Sequence, residues 1–147
     1  MTVDDPGALA LERALISETI FRYHRSFDQK DWEVCRDLFT DAVEIETSGM
    51  QGSIAETQNF ARDRLIRILQ RLGSPDTVSQ HLSANHIIEI SGNEATCIAS
   101  SIAHTARAQD GKNAVSIVGG SYTFNLVRTQ NGWKIRKYRF DQAWSKT

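Results

Sequence analysis

Two histidines lie in the segment 79–90, where polar and apolar residues alternate. A period of two predicts a β-strand whose successive side chains point to opposite faces. His81 and Ser83 then share one face, and His86 is expected on the other. Imidazole exchanges protons near neutral pH, and a neighbouring carboxylate can fix its tautomer. His81 is therefore either a general base or acid, or a histidine satisfied within a sheet. His24 and His86 are expected to serve packing or surface roles.

Other polar residues in apolar patterns join His81 as candidates. Asp28 follows the apolar stripe of the first predicted helix, so it either orients His81 or simply ends that helix. Tyr23 lies on the same stripe, which is typical of a core tyrosine as well as of a buried proton donor. Polar groups on apolar strand faces are costly to bury unless they are paired or used. That argument adds His104 and Asn125, with Arg139 as an outer member.

Three helices followed by long strands are predicted to position these residues. Apolar residues recur at helical spacing over 8–27 and again after Asp31, which is a suitable N-cap. The sequence Ser-Ile-Ala-Glu at 53–56 is a capping box, and it predicts a third helix that continues to Leu72. A short strand is expected at 42–46, before that helix. Four strands in a meander are expected near 77–91, 94–107, 114–129 and 133–143.

Helices grouped before one antiparallel sheet indicate an α+β fold, and the chain is expected to form a single domain over 1–147. Helices on only one face would let the long strands curve into a cone, with a pocket between sheet and helices. Gly119 and Gly120 inside a strand pattern predict a bulge that favours this curvature. The shape of the pocket is expected to depend on Met50, Phe60 and Trp144.

Charge and composition argue against several classes of partner. The 147 residues carry 17 basic and 18 acidic side chains, a formal net charge of -1, which disfavours nucleic acid and anionic membranes. The histidines lack metal-ligand spacing, and no glycine-rich phosphate loop or nucleophile elbow is present, so neither a metal nor another cofactor is expected. The acidic N-terminus, the lack of a long apolar run and two isolated cysteines predict a cytoplasmic protein.

Four segments carry a resemblance to a known family. They are 23–28 (Tyr-His-Arg-Ser-Phe-Asp) with Asp31 and Trp32 behind it, 81–85 (His-Leu-Ser-Ala-Asn), 119–123 (Gly-Gly-Ser-Tyr-Thr) and 132–135 (Gly-Trp-Lys-Ile). In this order they resemble the SnoaL-like family of the nuclear-transport-factor-like cone superfamily, over about 11–141. The most similar branch contains scytalone dehydratase, lindane dehydrochlorinase and bile-acid dehydratase. The resemblance implies a cone-shaped α+β barrel, with three N-terminal helices on a strongly curved, mixed, mainly antiparallel sheet.

The resemblance also implies roles for single residues. Asp28 and His81 match the aspartate and the histidine that pair in the dehydratase and dehydrochlorinase branch. Tyr23 matches the tyrosine of the bile-acid enzyme. His104 matches a second polar position, and Asn125 resembles an asparagine that contacts the substrate.

The implied activity is cofactor-independent elimination of water from a small hydroxylated cyclic carbonyl compound by His-Asp general acid-base catalysis. Arg139 lies one step from the position of an arginine in the dehydrochlorinase, which argues against haloalkane elimination. An isomerase or cyclase of the ketosteroid-isomerase type, and a non-catalytic module that binds small molecules, are the open alternatives. A homo-oligomer is also expected, a trimer rather than a dimer by resemblance, through the apolar face with Tyr122, Phe124 and Leu126.

Overall fold

The computed structural model describes residues 5–48, 56–109 and 112–147, in which three helices pack on one face of a six-stranded sheet. This arrangement confirms the predicted α+β fold. The elements in chain order are α1 (Pro6–Gln29), α2 (Trp32–Asp37), β1 (Phe39–Ser48), β2 (Glu56–Ala61), α3 (Arg62–Leu72), β3 (Thr77–Ser91), β4 (Glu94–Gln109), β5 (Lys112–Thr129) and β6 (Gly132–Lys146).

Local capping explains where the first two helices begin and end. Asp5 accepts a hydrogen bond from an amide of the first turn at 3.0 Å, and Pro6 stands at a position where its fixed φ suits a helix. Lys30 ends α1 in the left-handed region, with a φ of 57°. Asp31 then caps α2 through an amide at 3.2 Å, as predicted. No helix among the described residues is long and apolar enough to cross a bilayer.

The strands form one sheet in the order β2-β1-β6-β5-β4-β3, with β2 and β3 at its edges. β1 runs parallel to β6 and the other neighbours are antiparallel, so the sheet is mixed and mainly antiparallel as expected. The predicted meander of four long strands is confirmed. The register between β5 and β6 shifts at Gly119 and Gly120, which agrees with the expected bulge. Within the described residues the sheet stays open and does not close into a barrel.

The third helix begins later than the capping box predicts. Residues 53–55 lie outside the described residues, but residues 56–61 form β2, and α3 starts only at Arg62. β2 pairs with β1 along its whole length, so tertiary pairing outweighs the local helical signal. The expected helix over 53–72 is therefore wrong over residues 56–61. The apolar residues of the predicted helix from Leu65 onward lie within α3.

The inner face of the sheet, which packs on the helices, carries the aromatic core. Phe124 and Leu126 of β5 are fully buried, and Tyr122 packs against the same core. The prediction that Tyr122, Phe124 and Leu126 form an outward contact face is therefore wrong. A period of two shows which residues share a face but not which face is inward, and here the largest apolar side chains face the helices. The outer face of β5 carries Thr123 and Asn125 instead.

Candidate active site

Helix α1 and the edge strand β3 meet along a seam of polar and aromatic contacts. The side chains of α1 that contact β3 recur at spacings of four, three and four, which is one face of a helix. Lys30 Nζ, just beyond α1, donates a hydrogen bond to the Thr77 carbonyl at 2.6 Å and holds the end of the helix against the start of β3. The contacting side chains are Ser17, Phe21, His24 and Asp28.

Asp28 joins the last turn of α1 to β3. Its carboxylate accepts hydrogen bonds from Ser79 Oγ at 2.8 Å, from the His81 amide at 2.8 Å and from His81 Nδ1 at 2.6 Å. The side chains of Asp28 and His81 are only 18% and 17% exposed, so water competes little for these bonds. The structure therefore brings together the two residues that the sequence singles out, which we call the Asp28–His81 pair.

The surroundings of Asp28 define the tautomer of His81. Burial disfavours the charged carboxylate, but the hydrogen bonds from His81 and Ser79 outweigh that effect and lower the pKa of Asp28 below its ordinary value. An ionised carboxylate only accepts hydrogen bonds, so the proton in the Asp28–His81 contact lies on Nδ1. Nε2 of the neutral ring is then the nitrogen that can accept a proton.

A second histidine, His24, packs against His81. The two rings stack with centroids 5.3 Å apart and an interplanar angle of 15°, and Phe27 meets His81 edge-on at 5.2 Å. His24 is 4% exposed, and burial is the main reason that its pKa falls from 6.5 to about 3. Its buried Nε2 has no hydrogen-bond partner among the described residues. His81 is therefore held in orientation by a neutral imidazole on one side and a phenyl ring on another.

His81 and His24 line a cleft of about 690 Å³ between α1 and β3. This volume is within the range of pockets that hold small molecules. The cleft lies at the edge of the sheet, since in the described residues β3 pairs only with β4. Within 5–48, 56–109 and 112–147, no group of three or more His, Cys, Asp or Glu side chains is placed to hold a metal ion. The walls also include Phe21, Arg25, Ser79, Leu82 and Ser83.

Comparison with known proteins places this chain in a family. Residues 8–139 match the SnoaL-like domain, which is most of the chain. The chain belongs to the SnoaL-like family. The resemblance predicted from the sequence segments is therefore confirmed. No curated protein sequence matches this SnoaL-like chain.

Several solved structures share this cone fold. The Kfla4162 protein from Kribbella flavida is 22% identical, with a TM-score of 0.83 and 95% of each chain covered. A candidate scytalone dehydratase from Novosphingobium aromaticivorans is 19% identical, with a TM-score of 0.81, over 97% of this chain and 91% of that chain. A hexachlorocyclohexane dehydrochlorinase is 14% identical, with a TM-score of 0.73, over 93% of this chain and 88% of that one. At these identities the likeness shows the shared fold alone.

In this SnoaL-like protein, Tyr23 lies in the aromatic core and does not line the cleft. Its ring meets Phe39 edge-on at 5.3 Å and lies 6.0 Å from the ring of Tyr138. Burial raises the pKa of Tyr23 well above its ordinary value, and the neighbouring Tyr138 and Tyr122 raise it further. The hydroxyl therefore stays protonated in the core. Its position does not support the predicted role as proton donor beside the Asp28–His81 pair.

The structure does not bring His104, Asn125 and Arg139 to the cleft. His81 faces inward and stands opposite the residue before His104, so His104 points to the outer face of the sheet. Asn125 lies on that outer face and donates to a threonine hydroxyl of β4 at 3.1 Å. Arg139 is also on the outer face, bound to carboxylates of β1 and β6 at 3.2 and 2.8 Å. The expected cluster is therefore divided between the two faces.

Of the residues predicted to shape the pocket, Phe60 and Trp144 lie away from the cleft, and Met50 lies outside the described residues. Phe60 is on β2, at the opposite edge of the sheet from β3, with the Arg64 guanidinium 5.8 Å from its ring centre. Trp144 lies over Gly119 on the outer face and is 48% exposed. Neither residue can contact a molecule that binds beside His81.

A bulge in β3 places His86 on the inner face, so the expectation from strict alternation is wrong. Asn85 has a φ of 55°, and the pairing of β3 with β4 shifts in register between Ala84 and Ile87. Asparagine is one of the few residues apart from glycine that tolerate this backbone region. Asn85 inside an alternating strand is therefore the available sequence signal for the bulge. The signal for His24 is its spacing of four from Asp28, which puts both on one helix face.

Proposed function

We propose that this protein is a cofactor-independent lyase that removes water from a small hydroxylated cyclic carbonyl compound. The observation that carries the proposal is the contact of Asp28 with His81 Nδ1 at 2.6 Å on the wall of a cleft of about 690 Å³. With its proton on Nδ1, the ring has Nε2 as the nitrogen that can act as a base, which is what elimination next to a carbonyl requires. Likeness in fold to a candidate scytalone dehydratase and a dehydrochlorinase supports an elimination.

The reaction begins at His81 Nε2, which takes a proton from the carbon next to the substrate's carbonyl. The ionised carboxylate of Asp28 stabilises the imidazolium that forms and excludes the tautomer with a protonated Nε2. The electron pair of the broken C–H bond passes through the enolate into a new carbon–carbon double bond. The C–O bond to the β-hydroxyl breaks, and the hydroxyl takes up a proton and leaves as water. A positioned general base contributes roughly 100- to 10,000-fold to such a step.

The cleft favours a small, largely apolar ring as the substrate. Phe21 of α1 forms apolar wall surface, while the polar atoms of His81, Ser79 and Ser83 lie along β3. A ring that lies between them would place its carbonyl side toward the strand. Polar groups of this kind orient a ligand within an otherwise apolar pocket.

The test uses β-hydroxy-α-tetralone, a bicyclic β-hydroxyketone that loses water to give fluorescent α-naphthol. His81→Ala and Asp28→Asn should each lower kcat/KM by roughly 100-fold or more, because both remove the base in its reactive tautomer. His104→Ala is the matched control, since this histidine lies on the outer face, and it should retain wild-type turnover. Circular dichroism verifies that each variant is folded. An unchanged rate for either site variant contradicts the proposal.

The product's mass separates the lyase from the alternatives. Loss of one water from the tetralone indicates elimination. A product of unchanged mass would indicate an isomerase or cyclase that uses the same base without losing water. Binding of the tetralone by the wild-type protein without any conversion would indicate a module that only binds small molecules.

Self-association and cytoplasmic location stay predictions. Because the inner apolar face is buried, we expect a homo-oligomer, trimer or dimer, to use the outer face of the sheet. Apolar side chains of β3 and β4 are exposed there, including Leu82 at 53%, Ile87 at 65% and Ile98 at 48%. Light scattering on the purified protein measures its mass, and a monomer at high concentration would contradict the prediction.

A further inference from the structure

The bulge in β3 creates a chain of hydrogen bonds beside the Asp28–His81 pair. Ser83 Oγ lies 2.8 Å from His86 Nε2, and Ser17 Oγ of α1 lies 3.0 Å from His86 Nδ1. Phe21 stacks on the His86 ring with centroids 4.9 Å apart, which fixes the plane of the imidazole. Both ring nitrogens of His86 are therefore engaged by hydroxyl groups, each of which can donate and accept.

This chain connects two clefts. Ser83 is part of the wall that also carries His81. Ser17 and His86 line a second cleft of about 430 Å³ further along the seam between α1 and β3. Water in the second cleft can reach Ser17 without passing the substrate. The three side chains thus form a path for protons between solvent at one end and the candidate active site at the other.

The spacing of His81 and Ser83 suits a substrate that loses a proton and a hydroxyl from neighbouring carbons. Both side chains face inward on one strand and are two residues apart, so their attachment points are roughly 6–7 Å apart. A hydrogen bond at each end adds about 2.8 Å to the reach of each group. Base and hydroxyl donor can therefore contact one small ring at the same time.

We propose that Ser83, His86 and Ser17 form a relay that delivers the proton to the departing hydroxyl. The proposal rests on the elimination proposed above and assigns the acid that it requires. Neither Tyr23 nor His104 can take this part, because neither lines the cleft. Ser83 is the catalytic residue of the relay, and His86 and Ser17 act through it.

The step balances in protons and electrons. The α-proton of the substrate passes to His81 Nε2, and the C–O bond breaks with its electron pair on oxygen. Ser83 Oγ–H protonates that oxygen to give water, His86 Nε2–H restores the Ser83 hydroxyl, and Ser17 Oγ–H protonates His86 Nδ1. Water in the second cleft restores Ser17, and His81 releases its proton to solvent. Once the product has left, exchange with water in the two clefts returns His86 to its Nε2–H tautomer.

His86 is suited to a relay that never accumulates charge. Burial lowers the pKa of His86 below its ordinary value, so the ring is neutral near pH 7. A neutral imidazole passes a proton by receiving one at Nδ1 while releasing one at Nε2.

The decisive experiment compares two leaving groups in the tetralone probe. The β-hydroxy compound needs a proton on its leaving group, whereas β-acetoxy-α-tetralone expels acetate without one. Ser83→Ala and His86→Gln should lower kcat for the hydroxy compound by about 10- to 100-fold with KM changed by less than about threefold. Both should lower turnover of the acetoxy compound much less than turnover of the hydroxy compound. Ser83→Thr, which keeps the hydroxyl, should recover most of the activity.

Controls separate this inference from the proposed function. His81→Ala should lose turnover of both compounds, and if it keeps both, the elimination itself is wrong. Ser100→Ala, at an exposed serine of β4, should behave as wild type toward both. If Ser83→Ala loses both compounds equally, or if His86→Gln keeps full turnover of the hydroxy compound, the relay is overturned while the base remains.

A measurement without turnover completes the test. Nitrogen-15 NMR of the histidine rings reports which nitrogen of His86 carries the proton. The relay requires the Nε2–H tautomer, in which Ser83 is free to donate to the substrate. A population that is entirely Nδ1–H between pH 6 and pH 8 would commit the Ser83 proton to His86 and would overturn the relay.

Discussion

Acid unfolding tests the conclusion that His24 is buried as a neutral ring against His81. Burial, more than the neighbouring His81, lowers the pKa of His24 from 6.5 to about 3 in the folded protein. In the unfolded chain the same side chain has an ordinary histidine pKa, so below about pH 6.5 it binds a proton that the folded protein does not. The stability from His24 is therefore complete above pH 6.5 and is lost as the pH falls toward 3.

The size of the loss follows from the two pKa values. At pH 5 the unfolded chain is almost fully protonated at this site and the folded protein is neutral, which lowers the free energy of unfolding by about 2 kcal/mol relative to pH 7. Because pH 5 lies well above the folded pKa of about 3, the figure depends mainly on the unfolded value. Asp28 changes the free energy of unfolding little between pH 7 and pH 5. Its lowered pKa affects stability only below about pH 4. His86 also lowers the free energy of unfolding as the pH falls, because burial lowers its pKa as well.

His24→Phe isolates the contribution of His24, since it keeps an aromatic ring beside His81 and removes the titrating group. Urea unfolding at pH 7, 6 and 5, followed by far-ultraviolet circular dichroism, gives the free energy of unfolding of both proteins. Between pH 7 and pH 5 the wild type should lose about 2 kcal/mol more than the variant. Parallel curves for the two proteins would show that His24 takes up a proton in the folded state, and the argument from burial would be refuted.

Two further predictions concern stability, both measured as thermal unfolding temperatures. Gly120→Ala should lower the free energy of unfolding by about 2–3 kcal/mol. The new Cβ would lie 2.2 Å from a backbone oxygen of β6, which cannot move alone. In Gly119→Ala the new Cβ would meet the ring of Trp144 at the same distance, but that half-exposed ring can turn away. This substitution should therefore lower the free energy of unfolding by only about 1 kcal/mol. Equal losses for the two alanine variants would contradict this ordering. Asp31→Ala removes the cap of α2 and should cost about 1 kcal/mol, whereas no loss would show that tertiary packing alone defines that helix.

Much of the fold could be predicted because its signals are local, whereas the pairing of Asp28 with His81 was implied by the family resemblance. Asp28 ends an amphipathic stripe, and Asp31 caps the next helix, so the turn between them follows from residue types alone. The long strands were also predictable, since each alternates and ends at a turn. β2 was not, because its strand character comes from pairing with β1 rather than from residues 56–61.

The wider site could not be predicted because alternation does not say which face is inward. His104 and Asn125 share a face with each other, as expected, but that face is the outer one. Asn125 is satisfied there by its hydrogen bond to β4, whereas His104 Nδ1 is buried without a hydrogen-bond partner among the described residues. Deciding the inward face required comparing apolar volume on the two sides of β5, where Phe124 and Leu126 outweigh Thr123 and Asn125.

Strict alternation in β3 forces a choice that the structure avoids. With an unbroken period of two, His81 and Ile88 fall on opposite faces, so either the Asp28–His81 pair or the apolar end of the strand would face outward. The left-handed residue Asn85 turns the strand by one position, and both His81 and Ile88 then face inward. Burial of Ile88 and Ile90 against the core offsets the small energetic cost of the left-handed backbone at Asn85. The bulge is therefore stable without any role for His86. The contact of His86 with Ser83 follows from that bulge, and for this reason support for the relay must come from the leaving-group comparison and the tautomer rather than from the bulge itself.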